Sequence, residues 1–461
     1  MNITFLGACG VVTGSCYLIN IDNKNILLDC GIYQGKDSDE IKNSSFEFNP
    51  QDIDYLILSH AHIDHSGKIP LLYKKGFRGK IICTKSTKDL CSVMLPDSAH
   101  IIEYETKWKN KSRKKKNLPE IEPLYDVETA KKTLPLFEGH EYNENITLFS
   151  GFEITLLDSG HLLGAAIIKI HINKDKDKFD FVFSGDIGNI NIPILKDPTK
   201  INFSDYIMIE TTYGSKDHKN PRDELKKLAR IITDTFKKGG NVIIPSFAVG
   251  RTQEVIYTLN NYVEKNIFKN IKVYIDSPLS SECTEIFQKY EKDYDKEAKD
   301  LLKKGDNPLD FHGLFFTKSK EESIALKDIE KGAVIISSSG MCDAGRIKHH
   351  LLNNLSRSEC SVVFVGYQAE GTLGKRILDG DKKVKIFGKE IEVNSSIYNL
   401  QSLSCHADKK GLLSWIKNFN PKPKKIILVH GEESSRESFK NALEKEGFKV
   451  ICPKLGEKLS L

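Results

Sequence analysis

The sequence predicts an α/β protein of two domains, the second inserted into the first. Three observations carry that expectation. Near both ends of the chain, short apolar runs that read as buried strands end repeatedly in His or Asp. Between them, from about residue 206 to 395, strand-like and helix-like stretches alternate. After residue 395 the first pattern returns. The expected organisation is 1–205 and 396–461 as one domain in two segments, with 206–395 as the insert. A chain of 461 residues can fill two cores.

In chain order, Asn2 to Leu6, Ser15 to Ile21 and Asn25 to Cys30 read as strands, joined by the glycine-bearing turn Gly7 to Gly14 and by Asp22-Asn23-Lys24. Tyr55 to Leu58 is a further strand, Lys68 to Lys75 a helix, Gly79 to Thr84 a strand, and 86–137 mostly helical. Phe152 to Leu157, Ala165 to Ile170 and Phe179 to Phe183 continue the strands. The insert is expected to begin with Tyr206 to Ile209. Asn241 to Pro245, Ile271 to Ile275, Ala333 to Ser337 and Ser361 to Val365 follow, with helices near 221–238, 250–263, 279–291 and 344–354. Ser396 to Ser402, Lys425 to Val429 and Lys449 to Cys452 are the returning strands.

Composition narrows the class. With 39% hydrophobic and 28% charged residues the chain resembles ordinary soluble proteins. No apolar run approaches a membrane span, so no membrane partner is expected. The N-terminus enters a strand without an export signal. Ten scattered cysteines lack any CxxC pair, which argues for reduced thiols and a cytoplasmic location. Net charge of +5 says little. Its distribution says more: Lys107 to Lys116 holds seven basic residues in ten, with Trp108 among them. Such a run reads equally as a solvated helix face or as a contact for a polyanion. Neither heptads nor an interface stripe specifies the assembly; a homodimer is entertained.

The chemistry concentrates where Tyr55 to Leu58 ends. His60, His62, Asp64 and His65 follow within six positions. Neutral imidazole and ionised carboxylate suit borderline-soft divalent metals such as zinc. A His-rich surface loop is the bland alternative, but four ligand types straight behind a buried strand make it a poor one. Later strands end alike: His161 in Asp158-Ser-Gly-His-Leu-Leu-Gly, Asp186 in Ser-Gly-Asp-Ile-Gly, Glu210 in Glu-Thr-Thr-Tyr-Gly, His406 in Ser-Cys-His-Ala-Asp and His430 in His-Gly-Glu. Each alone reads as a turn residue; strand after strand ending so would gather them at one sheet edge. Asp29, at the tip of the third strand, is either a turn cap or a group that orients metal ligands from behind. Glycine-bearing loops at Phe247 to Arg251 and Ser338 to Arg346 enter helices and offer backbone N–H groups to phosphate, or simply reverse the chain.

These motifs, in this order and over nearly the whole chain, resemble the β-CASP group of metallo-β-lactamase-fold ribonucleases. The short bacterial and archaeal relatives of the pre-mRNA 3′-end cleavage endonuclease subunit are the nearest in pattern. The resemblance implies an αββα sandwich with an inserted β-CASP domain. It implies that His60, His62 and His161 hold one metal, that Asp64, His65 and His430 hold another, and that Asp186 bridges both. Two Zn²⁺ are the implied cofactors, with Mn²⁺ or Fe²⁺ as substitutes. Asp64, Glu210 and His406 are the implied catalytic groups, His406 as proton donor with Glu210 fixing its tautomer. Ser246, Arg251, Ser339, Gly340 and Arg346 are expected to contact single-stranded RNA in a cleft between the domains. The expected reaction is two-metal hydrolysis of RNA phosphodiesters, internal to the strand, leaving 3′-hydroxyl and 5′-phosphate ends. His430 argues for RNA, because the DNA-repair branch carries an apolar residue there. The chain starts at its first strand and stops soon after its last, which favours a compact endonuclease over a processive enzyme. The alternatives are a 5′–3′ exoribonuclease of the same fold, a small-molecule (thio)ester hydrolase, which has no use for Glu210 paired with His406, and a silent RNA-binding scaffold, which would have lost ligands.

Overall fold

Period-two alternation decides which way each strand of the first unit faces. In Ala166–Lys174, Ala166, Ile168, Ile170 and Ile172 enter the core between two sheets, and Ile167 enters the core on the opposite face. In Tyr206–Glu210, Met208 points to the inner core and Ile207 and Ile209 to the outer one. Lys425–Val429 divides likewise, Ile427 and Val429 inward, Ile426 and Leu428 outward. Strands buried on both faces read as continuous apolar runs, which is why these were visible in the sequence.

The structure is a computed structural model and describes residues 1–38, 40–174, 177–218, 221–400 and 404–461. It divides into two units: Met1–Ile190 with Asp197–Asp217 and His406–Leu461, and Asn191–Lys196 with His218–Cys405.

The first unit is an αββα sandwich. One seven-stranded sheet runs in the order Lys458–Ser460, Asn2–Phe5, Tyr17–Ile21, Lys24–Leu28, Tyr55–Ile57, Lys80–Thr84, Phe137–His140. The other, also seven-stranded, runs Val450–Ile451, Lys425–Val429, Tyr206–Glu210, Asp177–Phe183, Ala166–Lys174, Phe152–Asp158, Asn145–Phe149. The inner faces of both share one core, from Phe5, Tyr17 and Ile57 to Phe152, Phe181 and Met208. The outer face of the second sheet is covered by Lys409–Ile416 and Glu433–Lys445 through Leu412, Trp415, Phe439 and Leu443. Lys85–Lys115 and Val127–Thr133 lie on the outer side of the first.

The second unit holds a six-stranded sheet, all parallel, in the order Leu314–Phe316, Lys272–Ile275, Ala333–Ser337, Val242–Pro245, Ser361–Phe364, Ser396–Asn399. A hairpin of Lys383–Ile386 and Lys389–Glu392 was not expected from the sequence.

The expected boundaries need correction. Tyr206–Glu210, assigned to the insert, pairs in parallel with Asp177–Phe183 and Lys425–Val429 inside the first unit. Ser396–Asn399, assigned to the returning segment, pairs with Ser361–Phe364 in the second. The expected strand to Ser402 ends at Asn399, and residues 401–403 lie outside the described residues. The physical reason is pairing: an apolar run is equally at home in either sheet, and only its hydrogen-bonded neighbours decide. The sequence also missed Lys458–Ser460, which closes the first sheet against Asn2–Phe5.

A buried carboxylate ties the second unit together. Asp276, past the end of Lys272–Ile275, is fully buried and lies 2.8 Å from Arg346 Nη1 and 2.6 Å from His350 Nε2. It accepts from the hydroxyls of Thr317 at 2.6 Å and Ser323 at 2.8 Å. Burial alone would raise its pKa, but the bonds from His350, Thr317 and Arg346 hold it well below the usual carboxylate range. A depressed folded pKa stabilises above the unfolded value, about 4, and that stability is lost as pH falls through the folded one. Asp276→Asn should therefore cost about 3–5 kcal/mol at neutral pH, leaving Arg346 without its buried counter-charge. Below about pH 4 the difference from wild type should shrink. Denaturant midpoints of both proteins against pH test this.

Candidate metal centre

Topology brings the distant motifs together. Asp177–Phe183, Tyr206–Glu210 and Lys425–Val429 are parallel neighbours, so Asp186, Glu210 and His430 leave the sheet at the same edge. Phe152–Asp158, two antiparallel steps away, points the same way and delivers His161 there. In the facing sheet the parallel strands Lys24–Leu28 and Tyr55–Ile57 deliver Asp29 and His60. Ligands gather at the carboxyl ends of such strands because the loops there diverge.

The turns are shaped for the task. Asp29 and His430 both adopt positive φ, 59° and 46°. Asp and His tolerate this region better than most residues, and non-glycine residues held there cluster at functional sites. Gly31 allows a closer approach than any side chain could: a Cβ there would sit 1.6 Å from the Asp64 carbonyl oxygen. Thr84 caps the helix Lys85–Lys115, and the hydroxyls of Thr84 and Thr87 donate to Gly164 O at 2.7 and 2.9 Å, bracing the loop that carries His161.

The side chains converge in two groups. In the first, His60 Nε2 lies 3.0 Å from His62 Nδ1, which lies 3.2 Å from His161 Nε2. Asp186 Oδ2 is 3.5 Å from His60 Nε2 and 3.6 Å from His161 Nε2. In the second, His65 Nε2 lies 3.1 Å from His430 Nε2, with Asp64 Oδ2 at 3.9 and 3.6 Å from those atoms. Asp186 Oδ2 is also 3.4 Å from His65 Nε2, so one carboxylate oxygen stands between the groups. Tetrahedral zinc with bonds of about 2.0–2.1 Å to nitrogen sets its donors ~3.3 Å apart. The spacing and the N/O donor set fit such a cation. Asp186 Oδ1 and His161 Nδ1 are buried polar atoms with no hydrogen-bond partner among the described residues.

Protonation points the same way. Burial, with neighbouring imidazoles, pushes His60 and His161 well below the usual imidazole range and burial takes His62 to about 4, so these rings are neutral donors. Burial would raise Asp64, but His65 and His430 hold it at about 2; Asp186 is held low by His65, His430 and His406. His65 is pushed up despite burial because Asp186, Asp29 and Asp64 surround it, which marks where positive charge is wanted.

Supporting groups fix these donors. Asp29 Oδ2 lies 2.7 Å from His65 Nδ1, leaving Nε2 toward the cluster, and Asp29 Oδ1 accepts from Ser59 N at 2.8 Å. Ser59 Oγ bridges Asp29 and His60 Nδ1 at 3.0 Å each. Thr212 Oγ1 lies 3.3 Å from His430 Nδ1. Sequence reasoning missed Ser59 and Thr212; the only signal was their place beside a ligand and beside Glu210. Asp29→Asn is expected to weaken metal retention about 10–100-fold, read by metal content after graded chelation.

Glu210 and His406 form a pair beside the cluster. His406 Nδ1 is 3.1 Å from Glu210 Oε1 and 3.9 Å from Asp186 Oδ2. Glu210 is fully buried and also accepts from Ile187 N at 2.8 Å and Thr212 N at 3.2 Å. Glu210 also falls within reach of Asp186 and His430 as a third donor group. Both of its carboxylate oxygens are already engaged by these backbone N–H groups. Burial would lower His406, but the Glu210 and Asp186 carboxylates raise it to about 9.

Ser246, Arg251, Ser339, Gly340 and Arg346 lie in the second unit, where their polar groups are engaged locally. Arg251 is buried against Glu254 at 2.5 Å and Cys405 at 3.3 Å. Ser246 accepts from Thr252, Ser339 bonds Ala344, and Gly340 O accepts from Gln368. Arg346 pairs with Asp276 and keeps about a quarter of its side chain, 26%, exposed.

Comparison with known sequences decides the family. The Metallo-beta-lactamase superfamily matches residues 9–235, the Beta-Casp domain 252–377, and the Zn-dependent metallo-hydrolase RNA specificity domain 390–453. Ribonuclease TTHA0252 of Thermus thermophilus is 31% identical over 458 residues, 99% of each chain. The chain belongs to the β-CASP ribonuclease group. The transcription termination factors FttA of Methanocaldococcus jannaschii and Methanococcus maripaludis are each 32% identical over 94% of this chain, which spans 67% of their length. A solved protein of unknown function from Enterococcus faecalis V583 shares the fold at a TM-score of 0.57 and 14% identity, over 100% of this chain and 99% of that one. Within this group the chain is a metal-dependent hydrolase. No helix among the described residues is long and apolar enough to cross a membrane.

Proposed function

We propose that this β-CASP protein is a zinc-dependent endoribonuclease that cuts single-stranded RNA, leaving 3′-hydroxyl and 5′-phosphate ends. The observation that carries the reading is the pair of donor groups sharing Asp186 Oδ2, with the Glu210–His406 pair at their side. His60, His62 and His161 would hold one cation, Asp64, His65 and His430 the other, and Asp186 both. Two such cations supply Lewis acidity, which eases ionisation of water and the negative charge that gathers on a phosphodiester. Asp29 and Ser59 hold His65 and His60 in orientation. Glu210 keeps the Nδ1 proton of His406 toward itself, so the proton that His406 gives to the departing 3′-oxygen sits on Nε2. A thioester hydrolase needs no proton donor so arranged, because a thiolate leaves readily.

The ribonuclease name of the Thermus relative, which matches end to end, supports RNA as the substrate. The ten free cysteines and the reduced state they favour support a cytoplasmic enzyme. The deciding experiment incubates internally labelled and 5′-labelled single-stranded RNA with the protein, with and without chelator. Internal cuts abolished by chelator are expected, alongside about two zinc ions per chain by mass spectrometry. Mononucleotides released stepwise from the 5′ end, or cleavage indifferent to chelator, would overturn the reading.

A further inference from the structure

The basic run lies on the last turns of the helix Lys85–Lys115, and it is not an ordinary charged face. Tyr104 and Trp108, 57% and 56% exposed, stand one helical turn apart on the same side with ring centroids 6.3 Å apart. Lys111 Nζ lies 4.7 Å from the Trp108 ring centroid, and Ile101, also exposed, extends the same line. Lys107, Lys111, Lys114 and Lys115 are all exposed and pair with no carboxylate among the described residues. The opposite side is tied down: Asn110 bonds both backbone groups of Ile121, and Arg113 bonds Pro119 O. The helix therefore presents two aromatic rings within a field of lysines to solvent.

A solvated helix face explains the lysines but not the rings. Leaving a Trp and a Tyr half in water forgoes burial that the core next door could have provided. Aromatic rings within a basic surface are what a flexible single strand of nucleic acid requires: bases stack on the rings, and phosphates sit among the ammonium groups. Charge complementarity selects that occupant. The same helix is capped by Thr84, which with Thr87 braces the His161 loop, so its basic end lies roughly 35–45 Å along the helix from that loop at 1.5 Å per residue.

We propose that Tyr104, Trp108 and the lysines around them form an exosite that holds single-stranded RNA several nucleotides away from the scissile bond. This rests on RNA being the substrate. It predicts that long substrates bind more tightly than short ones through contacts that take no part in the chemistry.

The chain has two tryptophans, and Trp415 is only 5% exposed, so a quench of tryptophan emission by RNA reports on Trp108. With chelator present to stop cleavage, an oligouridylate of about 30 nucleotides should quench wild type. A Lys107/Lys111/Lys114/Lys115→Ala variant should bind it about tenfold more weakly, with a shallower salt dependence. Read by the anisotropy of a 5′-fluorescein-labelled oligouridylate, since these variants lack the reporting ring, Trp108→Ala should weaken binding too, and Trp108→Phe should restore most of it, because stacking survives. Cleavage of an oligomer of about 6 nucleotides, too short to reach the helix, should be unchanged in all three. Unaltered affinity and salt slope in the lysine variant would overturn the proposal. So would RNA binding unaffected in every variant while phosphatidylserine vesicles bind wild type and not the lysine variant. If RNA quenches Trp108 but is never cut, the exosite stands and the nuclease reading fails; cleavage of long RNA indifferent to the variants fails the exosite alone.

Discussion

Asp186→Ala is expected to abolish RNA cleavage, by at least about 10³-fold in kcat, and to remove most of the bound metal. Its Oδ2 atom lies within 3.6 Å of ring nitrogens of His60, His161 and His65 alike. Deleting it takes a ligand from both groups at once, whereas a change at His62 or Asp64 affects one. It also leaves His65, whose proton Asp186 does most to hold, with less counter-charge. Asp186→Asn keeps the shape and removes the charge, so it separates the two effects: similar loss there means that charge, not packing, is what matters. A variant that retains two equivalents of zinc and wild-type cleavage would sink the bridging assignment.

His406→Ala should lower kcat about 10²–10⁴-fold while leaving metal content intact. His406 stands outside both ligand groups, its Nδ1 on Glu210 Oε1. A proton donor is dispensable when the departing oxygen is already a good leaving group. The His406→Ala defect should therefore shrink sharply on bis(p-nitrophenyl) phosphate, and a purely structural role would not produce that pattern. The pH dependence follows from sign. Glu210 is the strongest influence raising His406 to about 9, so the acid form persists at neutral pH and is lost as pH rises through that value. In Glu210→Gln the alkaline limb of the kcat profile should move to lower pH. An unmoved limb would separate Glu210 from the proton transfer.

Much of the centre was legible because its candidate ligands and the polar groups beside them are of rare type in a fixed order. His60, His62, Asp64 and His65 crowd behind one strand, and His161, Asp186, Glu210, His406 and His430 each follow another. The apolar runs of the second sheet were equally plain, being buried on both faces. What went unread was weaker in signal. Ser59 and Thr212 are ordinary turn residues until Asp29, His60 and His430 arrive beside them. The buried partners of the two expected phosphate contacts also went unread: Glu254 lies three residues on from Arg251, and Asp276 lies far along the chain from Arg346.

The amino-acid sequence by itself determined most of the core strands, which residues could bind a metal, and the family to which the chain belongs. Local alternation and side-chain chemistry suffice for those. Tertiary structure alone decided that Tyr206–Glu210 pairs in the first unit and Ser396–Asn399 in the second, and that one oxygen of Asp186 stands between two histidine groups. Partner choice between equally apolar strands, and distances among side chains hundreds of residues apart, depend on the packing of the whole unit. No local window of the chain contains them.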